Sequence, residues 1–127
     1  MKIITNNHRV IDAYSNKYDV EIVDGNYLAV IEKVRDYIHN GYVLLSHPLS
    51  GSIKPGETPF KSIMISEGAD NFTSETMISD AYAMAKRMIE ESKVKEYTEK
   101  LLDDFSVVDY DVITSAIESH KQFGINA

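Results

Sequence analysis

Short apolar runs of strand length alternate with stripes of helical period along the first half of this chain, and no other feature constrains its fold as strongly. Lys2-Ile3-Ile4-Thr5 reads as a buried strand, and Asp19-Val20-Glu21-Ile22-Val23 alternates polar and apolar as a strand does. Tyr42-Val43-Leu44-Leu45 and Ser62-Ile63-Met64-Ile65-Ser66 add a third and a fourth. Between the first two, Asn6-Asn7 offers the side-chain oxygens that cap a helix running from about His8 to Ser15. Between the second and third, Tyr27, Val30, Ile31, Val34, Tyr37 and Ile38 form one apolar stripe that Asn40-Gly41 brings to a stop. Strands joined through helices are usually parallel, because a right-handed crossover helix is the common way to link parallel neighbours. The expectation is an α/β three-layer sandwich whose short, mostly parallel four-stranded sheet has the order 2-1-3-4, with the direction of the fourth strand open.

The second half reads as helical. Met77, Ile78, Ala81, Tyr82, Ala85, Met88 and Ile89 mark the buried face of a long helix. A charged segment from about Lys93 to Asp104 follows, and Asp109 or Asp111 is placed to cap a last helix facing inward through Ile113, Ala116 and Ile117. These are the extra helices at the C-terminus of one domain covering 1–127, a length that supports a hydrophobic core without staples.

Composition removes several function classes. The chain has no Cys, which excludes disulfides, thiolate metal sites, Cys nucleophiles and Cys-bound iron–sulfur clusters. Its net charge of −7 falls wholly in the second half, since residues 1–66 hold seven acidic and seven basic side chains and the remainder thirteen and six. Nucleic acid, which needs clustered Lys and Arg, is therefore not an expected partner. No apolar run is long enough to span a membrane, and Met1-Lys2-Ile3-Ile4-Thr5 lacks the apolar stretch of a signal peptide, so the expected location is cytoplasmic.

One segment concentrates residues that carry chemistry. Ser46-His47-Pro48-Leu49-Ser50-Gly51-Ser52-Ile53-Lys54-Pro55-Gly56-Glu57-Thr58-Pro59 holds all three prolines and follows the third strand directly. In open α/β sheets ligands bind at the carboxyl ends of strands where the winding direction reverses. If the first and third strands are neighbours, Thr5, Asn6 and Asn7 meet His47, Ser50, Gly51, Ser52 and Lys54 in one crevice. Hydroxyls, carboxamides, backbone N–H groups freed by Gly51 and the Lys54 ammonium together suit a small carboxylate or phosphate. Helix capping and turn formation account for the same residues one at a time, though not for their concentration.

Named motifs fail on physical grounds. Gly51 to Thr58 has the glycine spacing of a nucleotide-binding P-loop, but Glu57 stands where that loop needs Lys, and Pro55 removes a cradle N–H. No G-x-G-x-x-G signature is present, so no nicotinamide or flavin cofactor is expected. The His residues at 8, 39, 47 and 120 show no close ligand spacing, and no metal site is expected. Ser50 does not sit in a G-x-S-x-G elbow.

The chain resembles the GrdX-type family, small accessory proteins encoded with glycine, sarcosine and betaine reductase systems. The likeness rests on Ile4-Thr5-Asn6-Asn7, on His47-Pro48-Leu49-Ser50-Gly51-Ser52 with Lys54-Pro55, and on Thr58-Pro59-Phe60-Lys61-Ser62, and it runs from Met1 to about Ser66. The resemblance implies a setting and transfers no catalytic residue. It implies an accessory or regulatory protein that touches a reductase component, since a chain without Cys cannot itself perform thiol or selenol redox steps. Two other readings stay open: a small enzyme with His47 as acid or base and Lys54 with the loop amides stabilising an oxyanion, and a structural dimer module, one form of homo-oligomer, in which exposed helix faces pair.

Overall fold

The computed structural model describes residues 1–51, 53–69, 72–94 and 96–123. Its strands are β1 (Lys2–Thr5), β2 (Asp19–Ile22), β3 (Tyr42–Leu44) and β4 (Ser62–Glu67); its helices are α1 (His8–Tyr14), α2 (Tyr27–His39), α3 (Phe72–Glu91) and α4 (Glu99–Phe123). The local signals act as expected. The Asn7 side chain caps α1 by accepting from the Arg9 N–H, and Asn26 caps α2 by accepting from Ala29. Gly41 ends α2 with φ +98°, a conformation that suits a residue without Cβ, and donates its N–H to the Ile38 carbonyl.

The sheet order corrects the expectation. The strands lie in the order β2-β1-β4-β3, with β1 and β2 parallel, β1 and β4 antiparallel, and β4 and β3 antiparallel. The sheet is mixed, not mostly parallel, and β4 takes the central place that the order 2-1-3-4 gave to β3. The physical reason lies in burial. Ser62 through Ser66 presents apolar side chains to both faces, and Ile63, Met64 and Ile65 are fully buried, whereas all of β3 is only half-buried. A strand apolar on both sides gains most from a central position, with roughly 25 cal/mol for each Å² of apolar surface removed from water.

Helices cover both faces. Ile4, Ile63 and Ile65 pack with α2 and with Ile78 and Ala85 of α3, while Ile3 and Met64 pack with Val10 of α1 and with Ile113 and Ile117 of α4. The three layers expected from sequence are present. The C-terminal helices differ: the segment expected from about Lys93 is helical only from Glu99, and from there one helix, α4, continues through Asp109, which lies mid-helix and caps nothing. No Pro or Gly interrupts Glu99 to Phe123, so nothing in the local chemistry requires a break.

Antiparallel pairing with β4 on each side leaves β1 and β3 pointing the same way without being neighbours. Their carboxyl ends and the amino end of β4 therefore meet at one edge of the sheet. The loop 46–60 starts there and returns there.

Candidate functional site

A closed ring of hydrogen bonds stands at that edge. The Asn7 N–H donates to Thr5 Oγ1 at 2.9 Å, Thr5 and Ser62 share a hydroxyl contact of 2.7 Å, and Ser62 Oγ donates to Asp109 Oδ2 at 2.7 Å. Because Ser62 gives its one proton to Asp109, Thr5 is the donor in the shared contact. Asn7 Nδ2 closes the ring by donating to the same Asp109 Oδ2 at 3.0 Å, and it also reaches the Ser106 carbonyl at 2.9 Å. Thr5, Asn7, Ser62, Ser106 and Asp109 are all buried. The ring fastens α4 to β1, β4 and the start of α1, and it holds the Asp109 carboxylate in place.

Asn6 makes a second fastening. Its Oδ1 accepts from the Lys61 N–H at 2.9 Å, and its Nδ2 donates to the Pro59 and Gly25 carbonyls at 2.8 and 3.1 Å. These bonds set the return of the loop into β4 and thereby fix the backbone of Lys61.

Lys61 is the cation of the site. It is 3 % exposed, and its Nζ donates to the Ser50 carbonyl at 3.0 Å and stands 5.7 Å from the centre of the Tyr27 ring. Burial lowers its pKa to about 8, against the opposing pull of the Asp109 charge. Burial likewise raises the Asp109 pKa, opposed by the hydrogen bonds from Asn7 and Ser62 and by the Lys61 charge. The Tyr27 phenol is pushed up as well, first by burial and then by Asp109, so it remains a neutral hydroxyl.

Lys61 and Asp109 line one cavity of about 20 Å³. Ser50, Gly51 and Thr58 contribute its polar wall, and Tyr27, Phe60, Phe105 and Val112 its apolar wall. Space of this size holds on the order of one water molecule. Ser50, Gly51, Ile53, Thr58 and Phe60 bring the connection from β3 to β4 to its wall.

The residues expected at the site divide among three places. Ser50 and Gly51 line the cavity, while Thr5, Asn6 and Asn7 build the fastenings behind it. His47 is exposed on a groove shared with Ser119 and His120, and its Nδ1 accepts from the Leu49 N–H at 3.0 Å, which places the proton of the neutral ring on Nε2. Lys54 is exposed on another groove, beside Glu57, Glu91 and Lys93. Ser52 lies outside the described residues. Among the described residues no three His, Asp or Glu side chains are grouped as metal ligands, and no helix is long and apolar enough to cross a membrane.

Sequence reasoning missed Lys61, Ser62 and Asp109. One signal was available for Asp109, which is in helical phase with Ser106, Ile113 and Ile117 on the buried face of α4. A carboxylate on a core stripe needs a partner, and that need points to a polar site.

A family model described as GrdX-like protein matches residues 2–118. No curated protein and no solved structure matches the chain.

Proposed function

The chain belongs to the GrdX-like family, and from that membership we propose that it is an accessory protein of an amino-acid reductase system that binds a small anion beneath the loop 46–60. The observation that carries the reading is the buried Lys61 ammonium at a cavity wall. An ammonium has three donors, and among the described residues the Ser50 carbonyl is its one hydrogen-bond acceptor. A carboxylate or phosphate oxygen in the cavity supplies the missing acceptor and offsets a charge that burial otherwise penalises. Ser50, Gly51 and Thr58 frame the ligand, Thr5, Asn6 and Asn7 hold the frame, and His47 and Lys54, on the same loop, face two other grooves. The thiol or selenol chemistry of such a system belongs to a partner, a reductase component, because the sequence has no Cys.

A thermal-shift titration with acetate, formate and phosphate on wild type and Lys61→Met tests this reading. A ligand at about 100 times its dissociation constant adds roughly 2.7 kcal/mol to stability. The shift is expected in wild type and lost in Lys61→Met. An equal shift in both proteins removes Lys61 from the site, and no shift with any anion removes the site.

A further inference from the structure

We infer that the groove between the start of the loop 46–60 and the end of α4 is a second binding site, one that takes the phosphate group of a small phosphate monoester. Among the described residues the groove shares only Ser50 with the Lys61 cavity, and its ligand does not depend on that cavity.

The groove has a volume of about 390 Å³, within the range of small-molecule sites. Ser46, His47 and Ser50 reach it from the connection after β3, and Ser119 and His120 reach it from α4. Among the described residues no Asp or Glu lines it, in a chain whose net charge is −7. The loop side is held by its own bonds. Pro48 is buried at the second position of a turn in which the His47 carbonyl accepts from the Ser50 N–H at 3.1 Å and from Ser50 Oγ at 2.6 Å. The bond from the Leu49 N–H to His47 Nδ1 fixes the ring and leaves Nε2–H as its donor. Ser46 Oγ accepts from the Met64 N–H at 2.9 Å, and its own proton has no acceptor among the described residues. A ligand here meets groups that are already in place, which lowers the cost of ordering them.

On the helix side, Ser119 and His120 have no hydrogen-bond or ion-pair partner among the described residues. His120 and Lys121 stand in the last turn of α4, where basic side chains offset the partial negative charge that a helix end would set against an anion. Four side chains, Ser46, His47, Ser119 and His120, thus have an N–H or O–H to give. A phosphate monoester brings three terminal oxygens and a charge of about −1.5 to −2 near neutrality, and so engages all four. A carboxylate has one oxygen fewer. A transition metal, the other common partner of paired imidazoles, needs a ring lone pair that His47 does not offer, since the Leu49 N–H holds Nδ1 and Nε2 carries the proton.

Titration of wild type with methyl phosphate at constant pH and ionic strength, followed through the imidazole nitrogen resonances, is the test. His47 and His120 are expected to shift along one saturating curve while His8 and His39, which do not line the groove, stay in place. His120→Gln is expected to weaken binding about tenfold, and Lys61→Met to leave it unchanged. Four imidazoles moving alike, His47 and His120 moving with separate midpoints, or neither of them moving overturns the inference and leaves the anion reading of the Lys61 cavity standing. Full affinity in His120→Gln does the same, and the wild-type titration decides the matter even where that variant does not fold. Inorganic phosphate has access to the groove as well, so its thermal shift is expected to survive in part in Lys61→Met while that of acetate is lost.

Discussion

Lys61 carries a charge that the folded chain holds less readily than the unfolded one, and this has a consequence for stability. Its pKa falls from 10.5 to about 8 on burial, so between those values the unfolded chain keeps a proton that the folded chain has released. Stability therefore rises with pH across that window, toward a limit of about 3 kcal/mol for a shift of this size. Tyr27 acts in the opposite sense only above about pH 10, where the unfolded phenol ionises and the folded one does not. Urea unfolding at about pH 7 and about pH 9.5 should show wild type gaining about 2 kcal/mol relative to Lys61→Met. Parallel pH profiles for the two proteins would contradict the assignment of Lys61 as a buried charge. Nothing in the local sequence announces that burial, because a Lys ahead of a strand is ordinarily solvated. Asp109 was better marked by its phase on α4, and the reading of it as a cap came from expecting two helices where one runs.

Between elements, the loop 46–60 is seated on α3 through Gly56. The Gly56 carbonyl accepts from Ser92 Oγ at 2.8 Å and from the Tyr97 hydroxyl at 3.3 Å. Its φ is +91°, and a Cβ added there would lie 2.8 Å from Ser92 Cβ and 3.0 Å from the Met88 carbonyl oxygen. Gly41 has a similar φ of +98° but no neighbour within 4 Å of an added Cβ. Gly41→Ala should therefore cost roughly 1–2 kcal/mol for backbone strain alone. Gly56→Ala should cost about 2–5 kcal/mol, with overpacking against the end of α3 added to the same strain. Equal losses in denaturant midpoint would show that the loop does not rest on α3. The stop at Gly41 was legible because a helix end is a local event, written in Asn40-Gly41 after the stripe of α2. The role of Gly56 was not, because it depends on where the end of α3 arrives from more than thirty residues away in sequence.

At the scale of the molecule, the chain places β4 between β1 and β3, and that single insertion creates the site. Thr5, Asn6 and Asn7 share one end of the sheet with the loop 46–60 even though β1 and β3 do not touch, because β4 runs against both and delivers Lys61 and Ser62 to the same edge. The three layers were legible in the alternation of strand and helix signals, whereas the meeting of the two segments was expected from neighbouring β1 and β3 and comes about through β4 instead. Strand order was not legible, because it turns on long-range competition for the centre of the sheet. Even so, the connection from β3 to β4 contains no helical stripe, and parallel neighbours usually need a crossover helix. Amide hydrogen exchange separates the two orders. With β4 central, Ile63, Met64 and Ile65 should exchange as slowly as Ile3 and Ile4, near the limit set by global unfolding, while Val20 in β2 and Val43 in β3 open sooner at the edges. With β3 central instead, Val43 would join the slowest group and Met64 would leave it. That pattern would remove Lys61 from the crevice and with it the cavity on which the proposed anion binding rests.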